Sequence, residues 1–233
     1  PGASAAARGL LGEAEWRQIM SNFRIKTCVL GPISTNCYLI YNDRTKAGAI
    51  VDPADNAAYI LNKCNELGIK PEAVLLTHGH CDHISAVPDV RRAFHVPVYA
   101  GAAEEPLFLD PGKNLSAQMW PEQVSFKPDE LLHDGDSLEL LGFQWKVLET
   151  PGHTAGGICY YLPEEEVLLA GDTLFENSFG RTDLPTGSMS QLVRSIVDKL
   201  FVLPDDTMVY PGHGDPTTIG HEKRYNPVSY YNR

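Results

Sequence analysis

No run in this sequence approaches the roughly 20 consecutive apolar residues that a membrane-crossing helix needs, so none is expected and no membrane partner is implied. Positive charge is also scarce. Lys and Arg number 19 against 30 Asp and Glu, a formal net charge of −11. Gripping nucleic-acid phosphates calls for the opposite balance, so nucleic acid is not an expected partner. Attraction for an anionic ligand would have to be local. The five cysteines, Cys28, Cys37, Cys64, Cys81 and Cys159, are odd in number and lack a paired spacing. That argues against a disulfide framework and for a reducing, cytoplasmic setting. Residues 1–19 have neither the basic start nor the apolar core of a signal peptide. They are expected to stand outside the fold, which leaves one domain over 20–233 with no linker, low-complexity segment or break.

What is present is an ordinary globular composition, 43% hydrophobic and 21% charged, on a chain long enough for one large domain with a real core. From Phe23 onward, short β-rich runs alternate with turn residues. FRIKTCVLG, NCYLIYND and AGAIVDPA read as three strands, antiparallel because their connections are too short for a crossover. Asp55 or Asn56 then caps a helix that runs through Leu67 and stops at Gly68. Its Ile60, Leu61, Cys64 and Leu67 share one face. EAVLL is a short buried strand, Ala86 to Phe94 a second helix, and VPVYA a further strand. In the later half SLELL, FQWKVLET, GICYYL and EVLLAGD are strands separated by Gly or Pro-Glu turns. Ser188 caps a helix striped by Leu192, Val193, Ile196, Val197 and Leu200, and DTMVYPGHGD closes with a strand and loop. Two strand groups, each with helices, predict an α/β protein of two sheets packed face to face with helices outside.

The stretch LLTHGHCDHIS, residues 75–85, places His78, His80, Asp82 and His83 within six positions, directly after an apolar run. A histidine-rich surface turn would read this way. So would a metal site, because imidazole and carboxylate are the donors that zinc and similar cations prefer. Three other segments share one design, an apolar strand ending in a glycine-flanked His or Asp. They are ETPGHTAGG with His153, LLAGDTLF with Asp172 and MVYPGHGD with His213. Either Pro-Gly-His alone could be a turn. Four such segments in one chain point to a shared site, because a sheet holds strand-end ligands and glycine admits close backbone approach. The remaining donors read as structural. His95 ends a helix, His133 sits in the turn LLHDGDS, His221 belongs to a terminal helix, and Cys81 is a small side chain facing away.

The succession HxHxDH, PGHT, GDTLF and PGHG resembles the metallo-β-lactamase superfamily, and within it the glyoxalase II-like hydrolases, over essentially all of residues 23–226. The resemblance implies a four-layered αββα sandwich of two mixed sheets with a dinuclear metal centre at one edge. Carried over position by position, it implies one cation on His78, His80 and His153, and a second on Asp82, His83 and His213. Asp172 would bridge them. Zinc is the first expectation, with iron or a mixed zinc–iron pair as alternatives. Asp52, which alone would pass for a turn residue, resembles the aspartate that supports the histidine loop from behind.

Two cations about 3.5–4 Å apart can share a water and lower its pKa from about 15.7 towards about 7, giving a hydroxide nucleophile without serine or cysteine. One cation also polarises the substrate carbonyl and stabilises the developing oxyanion. Asp82 is the expected catalytic side chain, orienting that hydroxide. Zinc β-lactamases of the superfamily usually carry arginine where His83 stands and often cysteine where Asp172 stands, which points away from β-lactams. Its tRNA-processing nucleases share HxHxDH, but the acidic balance points away from RNA. In the loop ENSFGRTDLPTG, Gly180-Arg181 resembles the Gly-Lys with which glyoxalase II contacts glutathione. Arg181 is therefore expected either to pair with a substrate carboxylate or to clasp Asp183. Glyoxalase II carries an additional helical domain, whereas twenty residues follow His213 here, as in the shorter relatives. The expected activity is metal-dependent hydrolysis of a small-molecule thioester, an S-acyl conjugate of glutathione or another small thiol. The alternative is a persulfide dioxygenase with one iron on His78, His153 and Asp172.

Overall fold

Side chains on a strand alternate between its two faces, and in the second strand of this protein both faces are buried. The structure, a computed structural model, describes residues 21–231; the expected extension over 1–19 lies outside the described residues. Strand β1 (Phe23–Leu30) pairs antiparallel with β2 (Thr35–Asn42), and β2 with β3 (Ala47–Val51), as expected from their short connections. Along β2, Cys37 and Leu39 join one apolar cluster while Tyr38 and Ile40 join another. A strand buried on both sides must lie between two layers.

Helix α1 (Ala57–Leu67) follows, with the Asn56 side chain accepting from the Tyr59 amide and Gly68 ending it at φ 68°. Asn56 rather than Asp55 is the cap. Strand β4 (Lys70–Leu75), short helix α2 (Cys81–Ile84), helix α3 (Val87–Phe94) and strand β5 (Val98–Gly101) come next. Short helices α4 (Glu105–Phe108) and α5 (Ser116–Met119) lead to β6 (Glu130–Leu132). The first sheet runs β1-β2-β3-β4-β5-β6, parallel from β3 onward.

The second half supplies β7 (Ser137–Leu140), β8 (Phe143–Glu149), β9 (Ile158–Leu162) and β10 (Val167–Gly171). A small hairpin of β11 (Leu174–Phe175) and β12 (Ser178–Phe179) precedes α6 (Met189–Arg194). Strands β13 (Met208–Pro211) and β14 (Thr217–Thr218) and helix α7 (Ile219–Tyr225) complete it. This sheet runs β14-β13-β10-β9-β8-β7, with β10 and β13 parallel and the other pairs antiparallel. The helix expected from Ser188 is two pieces, since a π turn over Ser195–Leu200 continues α6. There the Ser195 hydroxyl donates to Pro151 O at 2.7 Å, and Val197 is only half-buried.

Three cores separate four layers. Between the sheets, Tyr38, Ile40 and Leu75 meet Trp145, Val147 and Tyr160. On one outer face Leu39, Ile50 and Val74 lie under Ile60, Val87 and Val90. On the other, Tyr161, Leu168 and Val209 lie under Leu192, Ile196 and Ile219. Emptying the middle core at the fully buried Trp145 with Trp145→Ala would cost about 3–5 kcal/mol.

Strands that run the same way end at the same edge. Asp52 follows β3 and His78 follows β4, a parallel pair; Asp172 follows β10 and His213 follows β13, another. Strand β8, antiparallel to β9 as is β10, delivers His153 to that edge too. The Tyr38 hydroxyl donates to Pro211 O at 2.6 Å and the Ile158 amide to Thr77 O at 2.8 Å, tying the sheets together there.

Candidate metal centre

Seven side chains from these strand ends converge. His78, His80 and His153 bring ring nitrogens within 4.8 Å of one another, and Asp82, His83 and His213 form a second group within the same limit. His80 Nδ1 lies 2.9 Å from His153 Nε2. Asp172 reaches both groups. Its Oδ1 is 3.3 Å from His83 Nε2, and its Oδ2 is 3.5 Å from both His153 Nε2 and His213 Nε2. Asp82 Oδ2 lies 3.2 Å from His213 Nε2 and 3.3 Å from His83 Nε2.

Close backbone approach makes this crowding possible. A Cβ on Gly212 would overlap Asp172 Oδ1, and one on Gly152, at φ 140°, would overlap the Leu192 backbone in α6. Behind the cluster, other groups fix the rings. Asp52 Oδ2 lies 2.9 Å from His83 Nδ1 and accepts the Thr77 hydroxyl at 2.6 Å, while its Oδ1 accepts the Thr77 amide at 2.8 Å. Asp52 holds this position at φ 46°, an uncommon backbone for a non-glycine residue. His78 Nδ1 lies 3.1 Å from Thr77 Oγ1, and His153 Nδ1 2.7 Å from the Arg181 carbonyl. Holding one ring nitrogen from behind aims the other and fixes its tautomer, the usual arrangement around a metal. The Thr35 hydroxyl donates to Asp82 Oδ2 at 3.1 Å.

The two groups sit in different electrostatic surroundings. Burial, with three neighbouring rings, pushes His78 well below the ordinary imidazole range, and burial chiefly pushes His80 down to about 3. Burial alone would lower His83 too, but Asp82, Asp172 and Asp52 outweigh it and hold His83 well above that range. His213 is likewise raised, by Asp82 and Asp172 against burial. Despite burial, the surrounding histidines hold Asp172 well below the usual carboxylate range.

The donor set fits a cation. Nε2 of His78 and His83 and Oδ1 of Asp172 are buried with no hydrogen-bond partner. Each such atom costs about 1–3 kcal/mol unless something satisfies it. Three together, among histidines and carboxylates, make a divalent ion the natural partner.

The sequence also singled out residues that lie elsewhere or do otherwise. The Arg181 guanidinium donates from Nε and one Nη to the two Asp183 carboxylate oxygens, each at 2.7 Å, so it forms the loop clasp; its backbone carbonyl is what meets the cluster. Cys81 belongs to neither donor group, and burial pushes its thiol up to about 12. His133 and His95 are exposed, and His221 lies on α7 facing Asn177. Thr35, Thr77 and Glu104 have structural roles at the site that no sequence signal flagged; Thr77 alone stood beside the motif.

The metallo-beta-lactamase superfamily model matches residues 30–213. The chain belongs to that superfamily. Hydroxyacylglutathione hydrolase GloC of Haemophilus influenzae is 40% identical over 195 residues, covering 82% of this chain and 91% of that protein. Among solved structures, the BLEG-1 B3 metallo-beta-lactamase shares 41% identity with a TM-score of 0.84, covering 88% of this chain and 98% of that one. TTHA1623, solved in a di-iron-bound form, shares 36% identity with a TM-score of 0.77 over 87% and 98%. In this superfamily of metallo-hydrolases, the paired histidine–aspartate groups read as a divalent-cation centre.

Proposed function

We propose that the chain is a metal-dependent thioester hydrolase acting on S-acyl conjugates of glutathione or another small thiol. The observation that carries this reading is the placement of Asp172 between the two donor groups, with one oxygen towards His83 and the other towards His153 and His213. His78, His80 and His153 would hold one cation; Asp82, His83 and His213 would hold the other, and Asp172 would serve both. When bound, such a pair supplies a water that ionises near neutral pH and a polarised substrate carbonyl. Asp82 keeps one oxygen directed at His83, His213 and Thr35, and in this reading it takes the proton of the attacking water and fixes that water's orientation.

Two arguments favour a thioester. The GloC relative bears the name of a hydroxyacylglutathione hydrolase. A thiolate also leaves at neutral pH without a proton donor, whereas a lactam nitrogen must be protonated as it departs. Arg181 would turn from Asp183 to a carboxylate of the thiol half, an exchange of one exposed ion pair for another. A second reading, β-lactam hydrolysis, is favoured by the similarity to BLEG-1. We also propose a reducing, cytoplasmic setting, supported by five free, buried cysteines.

The test is elemental analysis of protein purified without added metal, with an activity panel of S-acylglutathiones, β-lactams and glutathione persulfide. Two divalent ions per chain, zinc or iron, and chelator-sensitive thioester cleavage are expected. One iron per chain with oxygen uptake on persulfide would replace this reading with the dioxygenase. Efficient β-lactam turnover without thioester cleavage would replace it with the second reading.

A further inference from the structure

A carboxylate outside the cluster joins the two loops that carry the all-histidine group. Glu104 closes the 3-10 turn Ala102–Glu104 after β5 and is fully buried. Its Oε1 accepts the Gly79 amide and its Oε2 accepts the Gly156 amide, each at 2.8 Å. Gly79 stands between His78 and His80, and Gly156 three residues beyond His153. The surrounding chain is built to this fit. A Cβ on Gly79 would press on Leu107 at 2.8 Å and lie 3.4 Å from Glu104 Oε1, while one on Gly156 would overlap the Glu104 backbone. Burial pushes the Glu104 carboxyl above its ordinary range, and the Gly79 amide is the largest influence drawing it back. A chain that buries a carboxylate must satisfy both of its oxygens, and here each is satisfied by a different loop.

We propose that Glu104 is a positioning residue that sets the spacing between the His78–His80 loop and the His153 loop, and so sets the affinity of that group for its cation. The proposal rests on the reading that both groups hold cations. The other group is braced by contacts Glu104 does not make, Thr35 on Asp82 and the Asn36 amide on Gly212 O at 2.7 Å, while Asp52 serves both groups, meeting His83 directly and His78 through Thr77. Loss of Glu104 should therefore weaken one site and spare the other.

In Glu104→Gln a single carbonyl oxygen remains, so one of the two amides loses its acceptor. Metal-free wild type and variant are titrated with zinc against a chromophoric chelator, with the thermal midpoints of the metal-free proteins compared. The step that disappears in His153→Ala marks the all-histidine site. In Glu104→Gln that step should weaken about 10–100-fold, the usual effect of losing a supporting partner of metal ligands, while the other step stays unchanged. Two wild-type steps in the variant, or equal weakening of both, would overturn the role of Glu104 and leave the centre standing. A wild type that binds no zinc or iron would instead overturn the reading beneath it. Should the variant not fold, amide hydrogen exchange in the metal-free wild type decides. Gly79 and Gly156 should exchange at least about 10³-fold more slowly than an open loop; open-loop rates would overturn the proposal.

Discussion

The two donor groups share Asp172 and are otherwise opposites. One is three imidazoles, buried to within 5% exposure, with His78 and His80 both pushed down by burial. The other mixes a carboxylate with two imidazoles, and its His83 and His213 are pushed up. His213 is also the more open ring, with 27% of its side chain exposed. Residue type does not decide protonation here; the neighbours do. His83 has no exposed side-chain surface, yet the carboxylates of Asp52, Asp82 and Asp172 outweigh its loss of water. Without a cation, His78 and His80 are held neutral and ready to bind, whereas His83 and His213 favour protons that a cation must displace.

The largest effect should come from Asp172→Ala, which removes what the groups have in common. We expect both cations to be depleted and kcat/KM to fall by about 10³-fold or more, roughly 4 kcal/mol of transition-state stabilisation. Normal turnover by a metal-occupied variant would contradict the shared role. Asp52→Asn should act unequally on the groups, because Asp52 meets His83 directly and His78 only through Thr77. Zinc titration should show the Asp82–His83–His213 step weakened about 10–100-fold and the all-histidine step weakened less.

Acidification should divide them again, and the sign follows from the shifts. His83 and His213 are raised, so below their raised values protons compete with the cation and affinity falls by up to tenfold per pH unit for each proton. His78 and His80 are lowered, so protons compete at those two rings only in much stronger acid. Between about pH 7.5 and about pH 5, spanning the unperturbed imidazole range, elemental analysis after buffer exchange should find one equivalent lost. Loss of the all-histidine equivalent first would reverse the comparison.

Smaller effects lie outside both groups. Arg181→Ala breaks an exposed clasp, so thermal stability should not change measurably. KM for a glutathione thioester should rise about tenfold while an uncharged thioester is unaffected, a difference of about 1.4 kcal/mol. His133→Ala, at an exposed turn, should leave metal content and activity unchanged within error.

Much of this architecture was legible because long periodic elements announce themselves. The antiparallel β1–β3 run, α1 with its glycine stop and the strands leading to His78, His153, Asp172 and His213 all lie where alternation and punctuation put them. Strands β6, β11, β12 and β14 have only two or three residues, too few for alternation to register. The loose text around 101–130 concealed α4, α5 and Glu104, whose value lies entirely in reaching Gly79 and Gly156. Arg181 shows the same limit from the other side. A short Arg-x-Asp stretch permits either a ligand contact or a clasp, and the distances to Asp183 reveal the clasp.

The order of residues alone determined which side chains gather, because strand ends, flanking glycines and donor chemistry are local properties. Only the folded chain decided how they differ on arrival. Burial, neighbouring charge and the groups bracing each ring arise from segments distant in sequence, and these push His78 down and His83 up although both leave the same loop.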